Sequence, residues 1–327
     1  PCGVARQSQL GRAMSSGGGG ALRKTACAAY RCNMADQKPF FLHAGAHRTG
    51  TSSFQMCLHD NRDVLADAGY DLAYPGRDGI PTGTLGLRLP GPRHGTDQTE
   101  RFAARVADAV AAHSPDDNRP LILSEENIPG RMMHFTQGRF YPACEARLMA
   151  LKAGLQGRVA RVLFVLRPYD QLFVSGYRKR AEDNKVEDFN TLRPKYMAMD
   201  RGWPEIVAAL RDILQPERLL VVPYTRRGSS VEALQMLVPA LADRPLIEPQ
   251  QVVNLSATDA GLMALQARYH AGEALERAQW KAVIADHADD RTDHGFAAFS
   301  DAEVAVLMQR YADDLARIEA MDGVTLA

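Results

Sequence analysis

Short apolar runs alternate with amphipathic segments along most of the chain. Apolar, branched runs of strand length predict β-strands at 40–44, 70–74, 121–124, 162–166 and 219–223. Between these runs, apolar positions recur at helical spacing and predict helices at 51–68, 98–112, 144–155, 203–214 and 231–241, with a further helix after residue 166. This alternation predicts an α/β fold in which a doubly wound, mostly parallel sheet binds ligands at the carboxyl ends of its strands.

The pattern changes at both ends of the chain. After about residue 255 the periodicity is helical only, with helices predicted at 259–276 and 301–321. We expect residues 255–327 to be a C-terminal helical region that covers the sheet or the cleft within a single domain of residues 34–327. Residues 1–33 hold a low-complexity tract of serine and glycine and five basic residues with no acidic one. We expect them to be a disordered or non-native leader ahead of a natural start at Met34.

Composition narrows the range of functions. The chain has 327 residues, of which 46% are hydrophobic and 24% charged, and its formal net charge is zero. Such a balance gives no general attraction to nucleic acid or to anionic membranes, so we expect neither as a partner. No apolar run approaches the roughly 20 residues of a membrane span. Three of the five cysteines fall in residues 1–33, which argues against a disulfide framework and favours a reducing, cytoplasmic location.

The segment that follows the first predicted strand has the composition of an anion-binding loop. Gly45 and Gly50 stand five positions apart, as in the P-loop of ATP- and GTP-using proteins, but Thr51 occupies the position of its lysine. Ordinary phosphoryl transfer needs that lysine, so the pattern disfavours it. Arg48 supplies a cation from inside the loop instead. Hydroxyl groups next to the predicted helix N-terminus suit a bound anion, and they belong to Thr49, Thr51 and Ser52.

A second candidate anion site follows the predicted strand 162–166. Arg167 comes directly after this strand, and Pro168 is well placed at the start of a helix. Ser175 lies eight positions after Arg167, about two helical turns along. A guanidinium gives charge-assisted hydrogen bonds to a phosphate and a hydroxyl adds a directional one, so we expect Arg167 and Ser175 to converge on a phosphate.

Together these motifs resemble those of the sulfotransferase family. The run Arg48-Thr49-Gly50-Thr51-Ser52 resembles the 5'-phosphosulfate loop, Lys-(Ser/Thr)-Gly-Thr-Thr, with Arg48 in the place of the lysine. Arg167-x-Pro with Ser175 resembles the 3'-phosphate motif, and the resemblance covers roughly residues 38–225. It implies a P-loop NTPase-like sulfotransferase fold and transfer of a sulfuryl group from 3'-phosphoadenosine 5'-phosphosulfate (PAPS), without a metal, to a hydroxyl or amine. The residues implied to bind PAPS are Arg48, Thr49, Gly50, Thr51, Ser52, Arg167 and Ser175.

Sulfuryl transfer also needs a cation on the leaving oxygen and a base on the acceptor. We assign the first role to Arg48. His94, in the long loop 75–97, and Glu125, after the strand 121–124, are equally weighted candidates for the base. His47 and Glu126 remain further candidates, whereas His43 fits a structural histidine better.

The sequence does not identify the acceptor, although a carbohydrate or a small metabolite is preferred. It does not determine the oligomeric state either. Two other functions remain as alternatives. One is a P-loop nucleotide or small-molecule kinase, against which Thr51 speaks. The other is a non-catalytic nucleotide-binding homologue in which the change from lysine to Arg48 has silenced the site.

Overall fold

A six-stranded, all-parallel sheet runs through the part of the protein that the computed structural model describes, residues 37–76, 80, 82–116, 118–250 and 257–327. Its strand order is β2-β3-β1-β4-β5-β6. The leader expected at residues 1–33 lies outside the described residues. The strands are β1 (Pro39–His43), β2 (Asp71–Ala73), β3 (Leu121–Ser124), β4 (Arg158–Leu166), β5 (Arg218–Pro223) and β6 (Val324–Leu326).

Helices cover both faces of this sheet, as a doubly wound fold requires. In chain order they are α1 (Thr51–Asp60), α2 (Arg62–Asp67), α3 (Thr99–His113), α4 (Cys144–Leu155), α5 (Tyr169–Ala181), α6 (Phe189–Met197), α7 (Trp203–Leu214), α8 (Ser230–Leu237), α9 (Asp259–His270), α10 (Arg277–Asp286) and α11 (Asp301–Glu319). The helices α1, α2 and α8 contribute to an apolar cluster on one face. A larger cluster on the other face contains side chains of α3, α4, α7 and α11.

The central strands are apolar because both of their faces are buried. In β4, Leu163 and Val165 belong to the cluster of the α1 face, whereas Val162, Phe164 and Leu166 belong to the opposite cluster. All five side chains are at most 1% exposed. Burying one such side chain stabilises the fold by roughly 1.5–3 kcal/mol relative to leaving it in water. The continuous apolar run is therefore the direct signature of a central parallel strand.

Several predicted elements are confirmed with their bounds, including β3, α4 and α7. The helix predicted at 51–68 is wrong in one respect, because it is divided at Asn61. The buried Asn61 side chain donates to the carbonyls of Cys57 and Ile247, both at 2.8 Å, and accepts from the Ile247 N–H at 2.7 Å. An asparagine that bonds backbone groups in this way competes with helix continuation.

The C-terminal region departs from a purely helical pattern. Its last three strand residues, Val324–Leu326, pair in parallel with β5 and extend the sheet by one edge strand. The helix predicted at 259–276 ends at His270, and a separate helix, α10, follows at Arg277–Asp286. No helix in the described part of the chain combines the length and the apolar character that a membrane crossing requires.

The winding of the chain determines where a ligand cleft forms. From β1 the chain passes to α1 on one face, whereas from the neighbouring strand β3 it passes to α4 on the other face. The two connections diverge at the carboxyl ends of adjacent strands. In open α/β sheets such a divergence leaves a crevice in which ligands bind.

Candidate functional site

The loop between β1 and α1 is shaped by residues with positive φ and by hydroxyls turned into its own backbone. Gly45, Arg48 and Gly50 have φ values of 86°, 61° and 88°. The hydroxyls of Thr49 and Thr51 both donate to the Ala46 carbonyl, at 2.6 and 3.2 Å. Thr49 is fully buried and does not line the cleft. The expected side-chain contact of Thr49 with a ligand is therefore not available in this arrangement.

The two motifs singled out in the sequence meet in space. The Nε atom of Arg48 donates to the Ser175 hydroxyl at 2.7 Å, although 127 positions separate the two residues. The Nη1 atom of Arg167 donates to the Arg48 carbonyl oxygen, also at 2.7 Å. The carboxyl ends of the neighbouring strands β1 and β4 thus bring two guanidinium groups and a hydroxyl together.

These groups line one cleft with a volume of about 610 Å³. Burial lowers the pKa of Arg167, and the positive charge of Arg48 acts in the same direction. The Arg167 guanidinium also lies over the Tyr224 ring, 4.9 Å from its centroid. Positive groups held this close together, in a partly desolvated cleft, form a site for an anion.

Two carboxylates that follow β3, those of Glu125 and Glu126, also line the cleft. Glu125 is 5% exposed, and its Oε1 atom accepts from the backbone N–H and the side-chain amide of Asn127, at 2.8 and 2.7 Å. Glu126 lies 4.0 Å from Nε2 of His47. His47 Nε2 in turn lies 3.0 Å from the Asn127 Oδ1 atom. Because an amide oxygen only accepts, this contact assigns the proton to Nε2 and makes Nδ1 the basic nitrogen of the neutral ring.

The buried Arg147 holds this turn in place. Its guanidinium donates to the carbonyls of Asn127 and Ile128 after β3 and to those of Leu89 and Pro90 in the long loop. Burial, with a smaller effect of the positive charge on the neighbouring Arg131, lowers its pKa to about 10. Five N–H donors in a planar fork allow one side chain to bind several carbonyls at once.

The structure does not bring His94 to the cleft. Its Nδ1 atom accepts from the Gly91 N–H at 2.8 Å, and its ring packs edge-on against Phe102 with the centroids 5.0 Å apart. The other residues predicted for the site line the cleft, apart from Thr49: Arg48, Gly50, Thr51, Ser52, Glu125, Arg167 and Ser175.

The fold also contributes residues that sequence reasoning missed. Trp280 and Arg277 of α10 line the cleft from the C-terminal region, and their guanidinium and ring lie 5.7 Å apart. Arg227, after β5, approaches Gly50 so closely that a Cβ atom there would lie 2.8 Å from the guanidinium carbon. A signal for Arg227 exists in the sequence, since it follows a predicted strand and therefore lies at the ligand-binding edge of the sheet.

His43 is a structural histidine, as expected. Its Nδ1 atom lies 2.9 Å from the Ser124 hydroxyl, and its ring stacks on Phe54 at 4.1 Å. Burial, with a smaller effect of the positive charge on Arg227, lowers its pKa to about 3. His43 is therefore neutral at physiological pH, and it is a buried structural residue that does not line the cleft.

Across the described ranges, no three histidine, cysteine or acidic side chains are grouped so that they could hold a metal ion. Comparison of the chain with protein-family models, with curated proteins and with solved structures finds no match. The geometry of the cleft is therefore what points to a function.

Proposed function

We propose that the protein is a PAPS-dependent sulfotransferase with a P-loop NTPase-like fold. The observation that carries the proposal is the contact of Arg48 with Ser175 at 2.7 Å, reinforced by Arg167 on the Arg48 carbonyl. A donor with phosphate groups at both its 3' and 5' positions requires two anion sites at one cleft. Two cationic motifs from distant parts of the chain satisfy that requirement.

The anion-binding groups take distinct roles in this proposal. Arg167 and Ser175 bind the 3'-phosphate through charge-assisted and directional hydrogen bonds. Ser52 and the backbone N–H groups at the start of α1 bind the 5'-phosphate. Arg48 contacts the oxygen that bridges phosphorus and sulfur, and it stabilises the negative charge that develops there as the sulfur–oxygen bond breaks.

The substitution of arginine for lysine is compatible with this role. Only Nε of Arg48 is engaged by Ser175, and among the described residues no hydrogen bond engages its terminal nitrogens. A planar guanidinium has several N–H donors, so it can hold Ser175 and donate to the leaving oxygen at the same time. Ser175 thus positions Arg48 as well as contributing to the phosphate site.

Glu125 is the base in this proposal. It takes the proton of the acceptor hydroxyl or amine as that atom forms its bond to sulfur, and the 5'-phosphate oxygen leaves with the electron pair of the broken bond. Glu125 is preferred to His94 because it lines the cleft and is oriented by Asn127. In-line transfer of this kind depends mainly on positioning and preorganised charge.

Isothermal titration with two nucleotides tests the donor site. We expect 3'-phosphoadenosine 5'-phosphate (PAP) to bind at least about tenfold more tightly than AMP, a difference of about 1.4 kcal/mol, because only PAP uses both anion sites. Arg167→Ala should remove this preference, whereas Arg158→Ala, at the opposite end of β4 and paired with Glu217, should keep it.

Tighter binding of ATP with Mg²⁺ than of PAP would favour a kinase. Tight PAP binding without sulfate transfer to any acceptor of a broad panel would favour a non-catalytic protein.

A further inference from the structure

A second cavity of about 280 Å³ adjoins the cleft. The two share wall residues, among them His47, Asn127 and Met132. The cavity lies between the 3₁₀ helix Met132–Gln137 and α5. We call it the side chamber. A molecule in the side chamber would reach the cleft beside Asn127, which holds Glu125.

Aromatic side chains form much of the side-chamber wall. Phe135, Phe173 and Tyr196 are each at most 2% exposed, and Phe173 stacks on Tyr196 with the ring centroids 5.1 Å apart. Rings packed this tightly form a preformed apolar surface. Met133, 40% exposed, adds a flexible apolar side chain at the rim. This part of the wall therefore suits a flat apolar group.

The charge of the side chamber is positive. Arg131 and Arg180 line it, and neither has a carboxylate within ion-pair distance in the described ranges. Lys179 pairs with Glu182 at 2.5 Å, and the acidic residue of the wall, Asp183, accepts from Asn184. Arg180 and Tyr196 line the same cavity, so this positive charge and the aromatic wall face one space.

We propose that the side chamber binds the body of the acceptor, and that the acceptor is a small aromatic molecule with a hydroxyl at one end and a carboxylate at the other. This inference rests on the proposed function. The carboxylate meets Arg131 and Arg180, and the ring lies against Met132, Met133 and the part of the aromatic wall that faces the side chamber. The hydroxyl oxygen then forms a bond to sulfur as Glu125 takes its proton. The sulfur–oxygen bond to the 5'-phosphate breaks, so the products are an aryl sulfate and PAP.

A pair of probes that differ only in charge tests the acceptor class. 4-Hydroxyphenylacetate and its neutral amide, 4-hydroxyphenylacetamide, have nearly the same size. Each is titrated into the full chain, with and without saturating PAP. We expect the acid to bind at least about tenfold more tightly than the amide, which corresponds to about 1.4 kcal/mol. The double variant Arg131→Gln/Arg180→Gln should remove this preference, and Arg139→Gln, an exposed arginine outside the wall, should retain it.

The outcomes separate the two proposals. If PAP binds but the acid and the amide bind equally, or neither probe binds, the acceptor class is wrong while the donor site stands. If the acid is preferred and the double variant loses the preference, the side chamber is an acid-binding site even where PAP fails to bind. Retention of the preference in the double variant assigns the probe to another site and overturns the inference.

Discussion

At the scale of single residues, the site depends on how differently two adjacent carboxylates are held. Glu125 is 5% exposed and has one oxygen fixed by two hydrogen bonds from Asn127. The side chain of Glu126 is 17% exposed and lies at the edge of ion-pair distance from His47. A base is effective when its geometry is set before the reaction, so Glu125 is the better placed of the two.

This difference predicts the effect of removing each carboxylate. Glu125→Gln should lower the rate of sulfuryl transfer by about 100-fold or more, as expected for loss of a general base, with PAP affinity unchanged. The neighbouring Glu126→Gln keeps the same length and polarity and should lower the rate by less than about fivefold. Single-turnover transfer from labelled PAPS to the best acceptor of a panel measures both. A larger loss in Glu126→Gln would move the base to that position or to its partner His47.

At the scale of elements, the start of α1 lies against the segment that follows β5. Gly50, the residue before α1, has a φ of 88°, and the Arg227 guanidinium from the segment after β5 lies against it. Gly69 has nearly the same φ, 89°, but among the described residues no atom beyond its chain neighbours lies within 4 Å of a Cβ built there. Comparing Gly50 with Gly69 therefore separates the effect of backbone strain from the effect of crowding by Arg227.

Replacing each glycine by alanine uses this contrast. Gly69→Ala should lower the free energy of unfolding by about 1 kcal/mol through backbone strain alone and leave PAP affinity unchanged. Gly50→Ala carries the same strain and also displaces Arg227 from the loop between β1 and α1. If this loop binds the 5'-phosphate as proposed, PAP affinity should fall by about tenfold or more. Chemical denaturation and isothermal titration measure the two effects. Equal losses of PAP affinity in both variants would show that Arg227 has no part in shaping the loop.

The sequence could predict those strands and site residues that burial marks with an apolar run, and it could not predict the others. Strands such as β3 and β4 were predictable because burial on both faces leaves an apolar run, and Arg48 and Arg167 were predictable because they follow such runs. Arg147 and Trp280 reach the site from helices, where no local pattern distinguishes them from ordinary helix residues. His94 was misplaced because a loop without periodicity gives no information on the direction of its side chains. The three residues of β6 are too few for a periodic signal.

At the scale of the whole molecule, both apolar clusters depend on the same central strands. In β3, Leu121 and Leu123 belong to the larger cluster, whereas Ile122 belongs to the cluster of the α1 face. His43 ends β1 between these layers, stacked on α1 and bonded to the end of β3. Its protonation is therefore linked to folding of the sheet as a whole.

The low pKa of His43 predicts a pH dependence of stability. The folded protein binds the His43 proton only near pH 3, whereas the unfolded chain binds it near pH 6.5. Between these values the unfolded state holds more protons, so the free energy of unfolding should fall as the pH is lowered. One proton accounts for a slope of at most about 1.4 kcal/mol per pH unit. Denaturant unfolding between pH 5 and pH 7 measures this slope, in a range where most carboxylates stay ionised.

Two variants assign that slope to the buried ring. His43→Gln removes the titrating group and should flatten the dependence of the unfolding free energy on pH, even if it lowers stability at pH 7 through lost packing on Phe54. His134→Gln removes a histidine from the exposed side of the 3₁₀ helix and should leave the contribution of His43 in place. With a pKa of about 3 in the folded protein, the His43 ring takes up a proton between pH 7 and pH 5 only in the unfolded chain. An unchanged slope in His43→Gln would mean that folded and unfolded His43 bind this proton equally, which would contradict the prediction.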